Sequence, residues 1–132
     1  KPYDGCKMCL RFLKKENYYI YIISHKSKKS EFSQKYNLQK QARIWIKKNL
    51  KNLIKERNIF FCDSVKKKIK IINQKKFLYF IDDLPKILLH KNIDKNCGKI
   101  LISEKKVRAL RSINNWKNIL KFLKKNAKNK QQ

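Results

Sequence analysis

Phe77-Leu78-Tyr79-Phe80-Ile81-Asp82-Asp83 is a continuous run of aromatic and branched residues that stops abruptly on two carboxylates. Runs without polar alternation suit strands buried on both faces, as in parallel sheets. The acids at its end stand where such sheets place their ligands, just beyond the carboxyl edge. They are also conspicuous by scarcity, because the whole chain of 132 residues holds 9 Asp and Glu.

Similar runs flank this one. Tyr18-Tyr19-Ile20-Tyr21-Ile22-Ile23 leads into Ser24, Asn58-Ile59-Phe60-Phe61-Cys62 leads into Asp63 and Ser64, and Lys99-Ile100-Leu101-Ile102 follows Gly98. Between the runs, apolar residues recur at helical spacing. Cys6, Cys9, Leu10 and Leu13 follow an opening at Asp4 and Gly5; Ala42, Trp45, Ile46, Leu50 and Leu53 mark an amphipathic helix over Leu38–Ile54. Val65, Ile69 and Ile72 follow the N-cap residues Asp63 and Ser64, and Trp116, Ile119, Leu120 and Leu123 mark a closing helix. Ser24 to Asn37 is polar and basic and reads as a long loop. Strands separated by helices predict an α/β fold, with a mainly parallel sheet and helices on both faces. One domain is expected over residues 1–123, followed by a basic tail at 124–132.

The charge decides the class of partner. Lys and Arg number 36, giving a formal net charge of +27 and a pI near 10.2. A folded chain with this surface repels itself, and phosphate contacts that release counterions relieve the repulsion. AT-rich coding accounts for Lys over Arg and for the many Ile residues, but not for the scarcity of Asp and Glu. RNA, DNA and an anionic membrane surface all satisfy such a charge. Lys47, Lys48, Lys51 and Lys55 are expected to project from the polar side of the Leu38–Ile54 helix. Lys105, Lys106, Arg108, Arg111, Lys117, Lys121, Lys124 and Lys125 belong to an end of the chain, Lys105 to Lys130, that has ten basic residues and no acid. These twelve are the nucleic-acid-binding candidates, with Tyr18, Tyr19, Tyr21 and Tyr36 available for base stacking. No apolar run approaches the ~20 residues of a membrane span, and residues 1–11 lack the apolar stretch of a signal peptide. The first residue is Lys1 rather than Met, which suggests a processed N-terminus or a longer protein.

Four cysteines complete the inventory, Cys6 and Cys9 as a CxxC pair with Cys62 and Cys97 apart. The second pair of a zinc site is missing, and Cys6 and Cys9 share a helical face with Leu10 and Leu13. Core packing, metal binding and a redox role all stand open. His25 and His90 are lone histidines expected at the surface.

A strand ending in Ser, a Lys early in a later helix and a strand ending in Asp-Asp form a set suited to phosphate and Mg²⁺. The hydroxyl donates to a phosphate oxygen, the ammonium neutralises it, and the carboxylates ligate the metal. The ordered segments Ile20-Tyr21-Ile22-Ile23-Ser24-His25-Lys26-Ser27, Lys66-Lys67-Lys68-Ile69 and Tyr79-Phe80-Ile81-Asp82-Asp83-Leu84-Pro85 resemble the second, third and fourth motifs of the haloacid dehalogenase (HAD) superfamily of phosphohydrolases. The resemblance spans about residues 3–120 and implies a Rossmann-like HAD-type sheet. It also implies that Ser24, Lys68, Asp82 and Asp83 descend from catalytic positions, with Asp82 and Asp83 the metal candidates. The family's nucleophile motif, DxD, is absent. Asp4 is followed by Gly5 and Cys6 and is preceded by no hydrophobic strand. Without a covalent acceptor the set is expected to be vestigial, with no catalytic residue, metal or cofactor. Plain structural roles are also open: Ser24 capping a turn, Lys68 one of 31 Lys, Asp83 capping a short helix near Leu84.

The resemblance further implies a gap in the sheet, because the strand that carries DxD lies between those at Tyr18–Ile23 and Phe77–Ile81. An upstream segment, a strand donated by another polypeptide, or closure of the flanking strands would satisfy the exposed ladder groups. The functional expectation is a structural RNA-binding subunit of a mitochondrial ribosome, touching ribosomal RNA and neighbouring ribosomal proteins rather than a membrane. The alternatives are an active Mg²⁺-dependent phosphatase of HAD type, with its nucleophile upstream, and a basic subunit of another nucleic-acid complex.

Overall fold

Period-two alternation along the short strands sorts their side chains onto two faces, and each face has its own helices. The computed structural model describes residues 5–25 and 37–130. Its elements run α1 (Cys6–Lys15), β1 (Ile22–His25), α2 (Leu38–Asn49), a 3₁₀ turn (Glu56–Asn58), β2 (Ile59–Cys62), α3 (Val65–Lys75), β3 (Tyr79–Asp82), α4 (Pro85–Leu88), β4 (Gly98–Ile102), β5 (Arg111–Ile113) and α5 (Trp116–Lys130). The fold is mixed α/β with two small parallel sheets, β1-β2 and β3-β4-β5.

On one face Ile23, Cys62, Phe80 and Leu101 pack with Ile69 and Ile72 of α3 and with Ile87 and Leu88 of α4. On the other, Ile100, Ile81 and Ile102 meet Cys9 of α1 and Ile119, Leu120 and Leu123 of α5, while Ile59, Ile22 and Phe61 meet Leu10 of α1 and Ile46 and Leu50 of α2. Helix α1 therefore lies between α2 and α5 in one layer, and α3 and α4 form the opposite layer. Within each sheet the strands are parallel. α3 begins just past the carboxyl end of β2, and its Lys68 bonds Asp82 at the carboxyl end of β3.

Local chemistry sets the boundaries. Ser64 caps α3 by accepting from the Lys67 amide at 3.2 Å, Asn37 caps α2 through Lys40, and Asn115 accepts from the Asn118 amide at the start of α5. Gly98 sits opposite Tyr79, where a Cβ would come within 2.7 Å of the Tyr79 ring.

Several expectations are corrected. The first strand is Ile22–His25 rather than Tyr18–Ile23, because the Tyr18 amide turns back to the Leu13 carbonyl and Tyr19 is 80% exposed. Helix α2 stops at Asn49, as the Leu50 amide closes on Ile46 and the chain turns. Trp45 is 41% exposed rather than inward, since Ile46 and Leu50 take the contacts with β2. The third strand reaches Asp82, and the three-residue β5 was not foreseen. Helix α5 continues to Lys130, across the 123/124 boundary expected for a tail. Asp4, Tyr36 and most of the Ser24–Asn37 loop lie outside the described residues. No described helix is long and apolar enough to cross a membrane.

Gly5 opens α1 in the left-handed region, φ 81°, and a Cβ there would lie 2.9 Å from Lys117 Cγ and 3.1 Å from the Lys117 amide nitrogen. Gly5→Ala should therefore loosen the α1–α5 contact and cost about 1–2 kcal/mol, the penalty of an L-residue in that conformation. Urea denaturation of the two proteins measures it.

Candidate functional site

Lys68 is the fourth residue of α3, one position before Ile69 and four before Ile72, so the helix carries it inward with its apolar face. A buried ammonium requires a partner, and β3 supplies one. Lys68 Nζ lies 2.9 Å from Asp82 Oδ2, and each side chain is 7% exposed. The other oxygen of Asp82 accepts from the Leu84 amide at 2.9 Å. Lys68 also stands 5.6 Å from the centre of the Phe80 ring.

The site at the strand ends thus differs from the one expected. The cap of the Leu84 turn comes from Asp82, not Asp83. Lys68 directly neutralises Asp82, so the end of β3 is less negative than two bare carboxylates would make it. Asp83 faces solvent. Partial burial, then the adjoining Asp82 carboxylate, push its carboxyl above the ordinary range. Ser24 lies on β1, whose neighbour α3 carries Lys68, and no hydrogen bond joins Ser24 to Lys68 among the described residues. Asp63 is committed to an exposed ion pair with Lys67 at 2.9 Å.

Mg²⁺ does not fit this arrangement. Both oxygens of Asp82 are engaged, one by a cation that would repel the metal, leaving Asp83 alone. Among the described residues no three His, Cys, Asp or Glu side chains converge as a metal cluster. The cysteines pack: Cys9, Cys62 and Cys97 are buried in the core, all four thiols are free, and burial raises each of them, Cys9 to about 11. Thiols held protonated in this way are poor ligands and poor nucleophiles.

The basic candidates lie elsewhere. Lys47, Lys48, Lys51, Lys55, Lys105, Lys106, Arg108, Arg111, Lys117, Lys121, Lys124 and Lys125 are all exposed. Lys47 and Lys48 occupy the last turn of α2, whereas Lys51 and Lys55 belong to the turn beyond it, because the helix is shorter than expected. Lys105, Lys106 and Arg108 fill the loop between β4 and β5. Arg111 stacks over the Phe122 ring at 4.7 Å and Lys124 over Phe12 at 5.6 Å. Since α1 lies between α2 and α5, the cations of those two helices share a layer with Arg11, Lys14 and Lys15, which sequence reading overlooked. Lys14 Nζ donates to the Asn52 carbonyl, fastening the end of α1 to the turn after α2. The overlooked signal was a ten-residue helix without an acid. Tyr21 is occupied in packing, stacked on Phe60 and tilted on Phe77 at 5.1 Å, while Tyr19 is exposed.

Removing one partner of the buried pair should be severe: Lys68→Met strands the Asp82 carboxylate and should cost about 3–5 kcal/mol. Adding Asp82→Asn should recover part of the loss, because the amide that replaces the carboxylate is neutral and still accepts from Leu84. Equilibrium unfolding of the single and double variants checks the cycle. Asp83 acts with the opposite sign. Its folded-state pKa is raised, so stability falls as pH rises through that pKa. Asp83→Asn should therefore be more stable than the parent at pH 7, with the difference vanishing below about pH 4. Urea melts over this pH range read both limits.

No protein-family model, curated protein or solved structure matches the chain, and its own residues carry the functional reading.

Proposed function

We propose that this protein is a non-catalytic RNA-binding subunit of a mitochondrial ribosome, built on a HAD-type, Rossmann-like scaffold that has lost its phosphohydrolase chemistry. The observation that carries this reading is the basic layer. A chain of net charge +27 exposes all twelve candidate cations, and α2 and α5, which both pack against α1, carry six of them. The described residues hold two ion pairs, and one of these is buried. The remaining surface charge is available to a polyanion. Because the cations are mostly Lys, they suit phosphates more than base edges, and recognition is of backbone and shape. Ribosomal RNA and neighbouring ribosomal proteins are the partners this chemistry fits. The Lys- and Ile-rich composition of AT-biased coding favours an organelle.

Retention of Ser24, Lys68, Asp82 and Asp83 in motif order supports descent from a phosphohydrolase, and the missing DxD supports loss of turnover. The active-phosphatase reading gains nothing from the site, where Lys68 is bound to Asp82 instead of facing a substrate phosphate.

Filter binding to a structured RNA hairpin tests the proposal. Affinity should fall by about 10³–10⁵ between 50 and 200 mM salt if 6–10 phosphates are contacted. Charge reversal at Lys117, Lys121, Lys124 and Lys125 together should weaken binding by about 10²-fold or more, whereas Asp83→Asn should leave it unchanged. A flat salt dependence would remove the reading.

A further inference from the structure

Two strand edges in this fold have no ladder partner among the described residues, and they face the same cleft. β1 pairs with β2 alone and β3 with β4 alone. Between them lies a cleft of about 350 Å³, bordered by residues 18–23 on one side and 77–81 on the other, with Leu10 and Leu13 of α1 and Trp116 and Leu123 of α5 along its floor. On the α3 side Tyr21 and Phe77 touch across it.

We propose that this cleft seats one extended, wholly apolar segment of a separate polypeptide, about four to six residues long, which hydrogen-bonds to both edges and joins the two sheets into one. Three features define the occupant. The unpaired amides and carbonyls of β1 and β3 demand a main-chain partner on each side, which a strand supplies and a helix or a lipid tail does not. Side chains of a strand placed there alternate between the α3 core and the floor of α1 and α5, so both sets must be apolar; a continuous Val, Ile, Leu or Phe run fits and an alternating polar one does not. Six residues border the cleft on one side, 18–23, and five on the other, 77–81, which limits the length that can be paired.

Residues 1–132 offer no such segment themselves. Their apolar runs already form the core or the walls of the cleft. Residues 1–4 and 131–132 are short and polar, and 26–36 contain four Lys with Phe32 and Tyr36 as isolated apolar residues. A folded second copy would bring its own helix layers against those that cover both faces of these strands. The proposal rests on backbone and packing and is independent of RNA binding.

Residue-resolved hydrogen exchange on the 132-residue chain tests it, alone and with a synthetic Val-Ile-Val-Phe-Val-Ile peptide carrying neutral Ser-Gly-Ser tails. The control peptide has Pro at the third and fifth positions, which removes two amide donors. Amides of residues 19–23 and 77–81 that are not bonded to β2 or β4 should exchange readily in the free chain. With the apolar peptide they should slow by about tenfold or more, and with the control they should not. No slowing, or equal slowing by both peptides, would overturn strand addition. Slow exchange in the chain alone would overturn it too: as a dimer by sedimentation, the occupant would be a second copy, and as a monomer, the edges would have closed on each other.

Discussion

The Lys68–Asp82 ion pair joins two half-sheets that share no hydrogen-bonded ladder among the described residues. Lys68 belongs to α3, which packs on β1 and β2, and Asp82 ends β3, which pairs with β4. At 2.9 Å and nearly without solvent, the pair holds the carboxyl ends of the two sheets together. Desolvation makes such pairs poor sources of net stability, yet each partner alone would be a buried, uncompensated charge. The pair therefore fixes a geometry more than it adds energy: α3 cannot slide along the sheet without breaking it. The Tyr21–Phe77 contact secures the opposite end of the strands, and α1 bridges the rest by packing on α2 and α5 at once.

Around that framework the dominant long-range force is repulsive. Lys and Arg outnumber acids fourfold, and one of the two described ion pairs lies in the interior, where it does nothing for the surface field. Long Lys and Arg side chains limit the damage by laying their stems on apolar neighbours, as Lys124 does over Phe12, Arg111 over Phe122 and Lys75 over Tyr21 and Phe60. Such contacts hold the cation near the surface without neutralising it, which leaves the charge for a polyanion.

Element type was readable wherever one period dominated a segment. Ile59–Cys62 and Tyr79–Asp82 appear as strands because their runs are continuous and bounded by Asp, and Ser64 caps α3 as its residue type predicts. The misplacements have a common cause. Tyr18–Tyr21 has the composition of a strand, but a ladder needs a neighbour, and β2 pairs only with Ile22–His25. β5, at three residues, is too short to announce itself by periodicity and exists because β4 offers it an edge. At the candidate site the sequence marked Lys68 and Asp82 separately and assigned them to phosphate and metal. Their pairing was legible in one respect, since Lys68 shares the helical face of Ile69 and Ile72, where an unpartnered charge would be untenable.

By itself the sequence determined that this chain alternates helices and strands, that its strands are buried on both faces, and that its surface is strongly cationic. Those properties reside in local periodicity and composition, which need no knowledge of neighbours. Tertiary structure decided which charges meet and which face water. It set Arg11, Lys14 and Lys15 in the same layer as the cations of α2 and α5, and it cancelled Asp82 with Lys68. It also left β1 and β3 facing each other across an apolar cleft. Each of these outcomes depends on residues far apart in the chain being brought within a few ångströms, where hydrogen bonding and desolvation act and where sequence separation carries no information.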